Sequence, residues 1–135
     1  MPDRETTVLL AEDDDFFMKP LTYALVDAGY LVVAAETIES VRKHAREADV
    51  LVVDARMSDT QLLGVSTVAQ LIEEGVVSSA VPVVFISVLA ENDDACQQEI
   101  RNLSVLQDRY VWLQKYFETD RLLTAIDEEL RARST

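Results

Sequence analysis

The chain has 135 residues, 49% of them hydrophobic, and a formal net charge of -13 at pH 7. That length buries one hydrophobic core without disulfide or metal staples, so residues 1–135 are expected to form a single domain. An excess of 25 acidic over 12 basic residues repels phosphate backbones and anionic bilayers, which argues against direct nucleic-acid or membrane binding.

The amino-terminal MPDRETT has no apolar stretch of the kind a secretory signal needs. No run approaches the ~18 apolar residues of a membrane span, so a cytoplasmic location is expected. Cys96 is the single cysteine, which rules out an internal disulfide. Its helical spacing with Ile100 and Leu103 reads as packing.

In chain order, five short runs rich in Val, Ile and Leu predict buried strands at 7–11, 31–34, 50–53, 81–86 and 110–113. Between the first two, Phe17, Leu21, Ala24, Leu25 and Ala28 recur at helical spacing. Pro20 fits this helix only in its first turn, where a missing N–H costs nothing, so the helix is expected to start near Phe17 or later. Ile38, Val41, Ala45 and Ala48 mark a second helix, and Val65, Val68, Ala69 and Ile72 a third. Leu123, Ile126 and Leu130 mark the last. Strict alternation of strand and helix predicts a doubly wound α/β fold, a parallel sheet with right-handed crossovers and helices on both faces. In such sheets ligands bind beyond the carboxyl ends of the strands, where the strand order reverses.

Two acidic sites fall at those ends. The first strand runs into Glu12, Asp13, Asp14 and Asp15, and the third runs into Asp54. If these strands are neighbours, the carboxylates repel and raise one another's pKa unless a cation neutralises them. An all-oxygen set suits Mg²⁺, which takes one or two carboxylates, keeps waters and leaves room for phosphate oxygens. The plainer reading of Asp13 to Asp15 alone is a cap on the first helix. Asp54 tips the balance, because it ends the wholly apolar VLVV strand, where a surface carboxylate has no reason to sit.

The segments LLAEDDD, VLVVDARM, VPVVFIS and WLQKYF stand in the order typical of response-regulator receiver domains, and the chain resembles that family over nearly its whole length. The resemblance implies a flavodoxin-like (βα)5 fold with strand order 2-1-3-4-5. It implies that Glu12 and Asp13 hold Mg²⁺ together with Asp54, with the backbone carbonyl of Arg56 completing the protein ligands. Asp54 would be the phosphoryl acceptor, Ser87 the hydroxyl that contacts the phosphoryl group, and Lys115 the cation that contacts acceptor and phosphate. Ser87 and Trp112 would form the switch, with the ring moving inward as the hydroxyl moves toward phosphate. Taken singly, Ser87 is an ordinary strand-end serine, Lys115 a surface lysine and Trp112 a core aromatic.

The partners implied are a sensor histidine kinase or phosphotransfer protein as donor, and a downstream protein target or effector domain. The output would be a change of partner or of homodimer state through the face made by the fourth helix, fifth strand and fifth helix. Several residues depart from the pattern. Tyr116 follows Lys115 where the family has a proline joined by a cis bond; a cis bond before a non-proline costs ~2.5 to 4 kcal/mol, so a trans peptide and a re-aimed lysine are expected. Ser58 replaces a proline in the loop after the acceptor, and β-branched Val88 stands where a small residue admits the phosphodonor. The long interval between Ser87 and Lys115 predicts an unusual segment over 91–109.

These departures favour, as the alternative, a receiver-like protein-docking module that works without phosphorylation. A phosphohydrolase with an aspartyl nucleophile would carry a second acid where Arg56 stands. Flavin binding would need a Ser/Thr/Gly-rich phosphate loop after the first strand, and none follows it.

Overall fold

The computed structural model describes residues 5–57, 63–90, 92–101 and 110–133. Five parallel strands form one sheet in the order β2-β1-β3-β4-β5: β1 Thr7–Ala11, β2 Leu31–Ala35, β3 Val50–Asp54, β4 Val83–Ser87 and β5 Val111–Gln114. The helices are α1 Asp15–Asp27, α2 Ile38–His44, α3 Leu63–Glu73, α4 Asp94–Arg101 and α5 Thr119–Arg133, with a 3-10 turn at Ala45–Glu47. This is the flavodoxin-like doubly wound arrangement, with the strand order that the family resemblance implies.

The central strands are buried on both faces, and that is why their sequences are apolar throughout and not alternating. Every residue of β3 and β4 is buried. Burial of each Val, Leu or Phe side chain there stabilises the fold by about 1.5–3 kcal/mol. Odd and even residues serve different layers. Leu10, Val52, Ile86 and Leu113 pack with Met18, Leu21 and Leu25 of α1 and with Leu122 and Ile126 of α5. Leu9, Val53 and Phe85 face the other way, toward Val41 of α2, Val65, Val68 and Leu71 of α3, and Ile100 of α4.

Several sequence expectations shift: β2 and β3 run one residue further, to Ala35 and Asp54, and α2 ends at His44, with Ala45 in the 3-10 turn and Ala48 beyond it. Helix α1 begins at Asp15, not near Phe17, so Pro20 lies in its second turn. The proline forfeits the N–H that would reach the Phe16 carbonyl, and at this exposed position water replaces it. Asp14, in an extended conformation, caps the helix earlier than the proline suggested. Strand β4 starts after Pro82, whose ring has no ladder N–H to offer, and both β4 and β5 run one residue further, to Ser87 and Gln114. Of the segment 91–109, only 92–101 falls within the described residues. Ser58 and the Cys96 side chain lie outside them.

Candidate functional site

The sheet register assembles the site. Ala11 pairs with Val53, Asp54 with Ile86, and Ser87 with Gln114, so Glu12, Asp54, Ser87 and Lys115 all emerge at one edge. Each strand end is tied to its neighbour by backbone bonds. Glu12 N–H donates to Ala35 O at 3.0 Å, Ala55 N–H to Ile86 O at 2.8 Å, and Lys115 N–H to Ser87 O at 2.7 Å. The backbone positions from which these side chains project are therefore set by the ladder.

Glu12 is fully buried and Asp54 is 7% exposed. The Lys115 ammonium lies between them, 2.7 Å from Glu12 Oε1 and 3.5 Å from Asp54 Oδ2. Burial, helped by the neighbouring Asp54 carboxylate and only partly countered by Lys115, pushes the Glu12 carboxyl up to about 8. Burial pulls the Lys115 pKa down, but hydrogen bonding and charge from Glu12 and Asp54 outweigh it and leave the ammonium above the ordinary lysine value. When Glu12 is ionised, it and Asp54 together carry more negative charge than the single lysine balances.

Asp13 brings a third carboxylate, and one oxygen each from Glu12, Asp13 and Asp54 lies within 4.8 Å of the others. The donor set is all oxygen and carries excess negative charge, which fits a hard divalent cation such as Mg²⁺. The two readings of the acidic run divide between residues. Asp14 is the helix cap, accepting from Phe16 N–H at 3.0 Å, and its own N–H donates to Glu12 Oε2 at 3.2 Å. Asp13 turns to the other two acids. Arg56 follows in the turn after β3 and gives its N–H to Asp54 Oδ1 at 3.1 Å, which orients the carboxylate.

The Lys115–Tyr116 peptide is cis, which corrects the trans geometry expected from the residue types. Lys115 is directed into the acidic pocket, its side chain 7% exposed, where the ion pairs with Glu12 and Asp54 hold it. Ser87 is fully buried, and its Oγ accepts from Leu89 N–H at 3.1 Å. By strand alternation Ser87 shares a sheet face with Phe85 and Trp112. Trp112 is half-buried, its ring 6.0 Å from Phe85, and its indole N–H donates to Leu89 O at 3.0 Å. Val88, between Ser87 and Leu89, is 47% exposed, and its carbonyl accepts from Gln114 Nε2 at 3.3 Å.

Three participants were not singled out in the sequence. Leu89 contributes only backbone atoms, which no side-chain pattern reveals. Gly64, in the first turn of α3, gives its N–H to Ala55 O at 3.0 Å, and a Cβ there would overlap the Asp54 carbonyl oxygen. A lone glycine at the head of an apolar helical pattern is the signal that could have pointed to such a close approach. Phe17, taken as a core residue of α1, also lies under Lys115, with Nζ 4.6 Å from its ring centroid.

The sequence model of the response regulator receiver domain matches residues 8–127. The chain is similar to the crystal structure of a response regulator receiver protein from Sinorhizobium medicae WSM419, with 26% identity, a TM-score of 0.76, and coverage of 96% of this chain and 98% of the other. It shares its fold with a CheY-like receiver domain protein from Methanospirillum hungatei JF-1, at 16% identity and a TM-score of 0.77, covering 97% and 98% of the two chains. The signal receiver domain of an HD domain-containing protein from Pseudomonas fluorescens Pf-5 is similar in fold too, at 16% identity and a TM-score of 0.78, with the same coverage. No curated protein matches the chain. Among the described residues, no helix is long and apolar enough to cross a membrane.

Proposed function

Because this chain belongs to the response regulator receiver family, we propose that it is a cytoplasmic phosphorylation switch, one receiver domain that accepts a phosphoryl group on Asp54. The donor is the phosphohistidine of a sensor kinase or phosphotransfer protein, and the recipient of the signal is a downstream protein or effector domain. The observation that carries this reading is the Lys115 ammonium set between Glu12 and Asp54 at the mouth of a three-carboxylate cluster.

Phosphoryl transfer passes through a loose transition state, so the protein contributes mainly position and charge. The Asp54 carboxylate, oriented by the Arg56 N–H, forms the new P–O bond as the P–N bond to imidazole breaks in line with it. Lys115 stabilises charge on the equatorial oxygens of the transferring group. Glu12, Asp13, Asp54 and the Arg56 carbonyl are the residues that would hold Mg²⁺, which when bound supplies further neutralisation of those oxygens.

The added group brings about -1.5 to -2 charges at neutral pH and attracts Ser87. To reach it the Ser87 hydroxyl gives up Leu89 N–H, whose carbonyl also holds Trp112. Trp112 thereby couples the loop after β4 to the face formed by α4, β5 and α5.

A small-molecule phosphodonor such as acetyl phosphate tests the reading. In Mg²⁺, intact mass should rise by one phosphoryl group in wild type and not in Asp54→Ala. An unmodified wild-type protein, with Asp54 accessible to no donor, would favour the phosphorylation-independent docking module, for which exposed Val88 beside the site is the supporting observation.

A further inference from the structure

Among the described residues, the Lys115 ammonium meets an aromatic ring as well as two acids. Its Nζ lies 4.6 Å from the centroid of the Phe17 ring. That ring is itself held edge-on by Phe117, at 5.4 Å and 87°, and by Tyr116, at 6.1 Å and 75°. Phe17 is half-buried and packed with the α1/α5 layer, so its face has a fixed direction. A cation within about 6 Å of an aromatic centroid is attracted to the ring's negative face, more strongly where water is excluded. The ammonium here is 7% exposed, and so largely out of water.

We propose that Phe17 is a positioning residue for phosphoryl transfer, its ring fixing the Lys115 ammonium over the acidic pocket while Tyr116 and Phe117 brace the ring. The geometry of the contact stands by itself, and its consequence for catalysis rests on the receiver reading above. A lysine stem has four rotatable carbons and no preferred direction of its own. When phosphate arrives, Lys115 must leave its 2.7 Å contact with Glu12 and turn toward the incoming oxygens. The ring offers a surface over which the ammonium moves without losing all its stabilisation, and it confines the stem to the side of Asp54.

Two variants separate π-face from bulk. Phe17→Leu keeps an apolar side chain in the same layer, and Phe17→Tyr keeps the ring. The chain has lysine at positions 19, 43 and 115 alone, so a protein labelled with ¹³C at the lysine ε-carbon gives a simple spectrum. In wild type the Lys115 ε-protons should lie upfield from ring current; Phe17→Tyr should retain the shift, and Phe17→Leu should lose it. With Mg²⁺ present, affinity for beryllofluoride should fall about three- to tenfold in Phe17→Leu and stay near wild type in Phe17→Tyr. An unshifted Lys115 signal in wild type, or equal affinities for the Leu variant and wild type, overturns the proposal. Equal losses in the Leu and Tyr variants do so as well, since packing alone would then explain them. If wild type binds no beryllofluoride, the phosphorylation reading fails, and the ε-proton shift still decides whether Phe17 holds the lysine.

Discussion

Gly64 shows how closely the acceptor is held from behind. A methyl group there would meet the Asp54 carbonyl oxygen and lie 3.0 Å from Val53 Cγ1, and the β3 backbone is held by pairing with β1 as far as Val53 and with β4 as far as Asp54. Gly64→Ala is expected to cost roughly 1–3 kcal/mol of stability through overpacking, read by denaturant unfolding. It should also weaken phosphomimic binding, because the clash falls on the backbone of the acceptor itself and any relief on the β3 side displaces Asp54.

Glu12 gives the site a pH dependence of definite sign. Its carboxyl is raised from 4.5 to about 8 in the fold, so the folded chain holds a proton that the unfolded chain has lost. The stabilisation this represents is complete below the lower value and disappears as pH rises through the upper one. A divalent cation needs Glu12 ionised and must expel that proton at low pH. Added Mg²⁺ should therefore raise the melting temperature more at about pH 8.5 than at about pH 6. Equal increments at both pH values would show that Glu12 does not gate the metal.

At the scale of elements, the loop after β4 is held by a small set of side chains. Ser87 Oγ accepts from Leu89 N–H, Trp112 donates to Leu89 O, and Gln114 donates to Val88 O. Two strands thus grip one loop. Trp112→Phe keeps an aromatic ring against Phe85 and removes the donor together with part of the ring's volume. It should speed amide exchange over 88–90 and cost about 0.5–1.5 kcal/mol. Unchanged exchange would mean that the indole bond does not restrain the loop.

The strands were legible in the sequence because burial on both faces leaves only apolar residues, and the acids were legible because VLVV ending in Asp54 has no other economical explanation. Helix bounds were less so. Asp14 overrides the stop that Pro20 suggested, since a cap acts on the first turn and an exposed proline in the second leaves only one solvated carbonyl. The aim of Lys115 was misjudged because residue type at 116 describes the local peptide, whereas two carboxylates and the Phe17 ring, distant in sequence, hold the ammonium.

For the molecule as a whole, the parallel sheet gathers every strand's carboxyl end on one edge, so the ends of β1, β3, β4 and β5 contribute to one pocket. The two core layers on either side of the sheet give this edge a rigid base and leave the loops as the parts able to change. The net charge of -13 adds a field that concentrates divalent cations and disfavours polyanions. Self-repulsion of this size also means that neutralisation at the pocket is felt beyond it.

The proposed switch turns on a phosphoryl group at Asp54. Its most direct test is a beryllofluoride titration in Mg²⁺, followed by the fluorescence of Trp112, the chain's single tryptophan. A saturable change that needs Mg²⁺ and disappears in Asp54→Ala is the predicted result; no change at millimolar beryllofluoride, or the same change without Asp54, would contradict it.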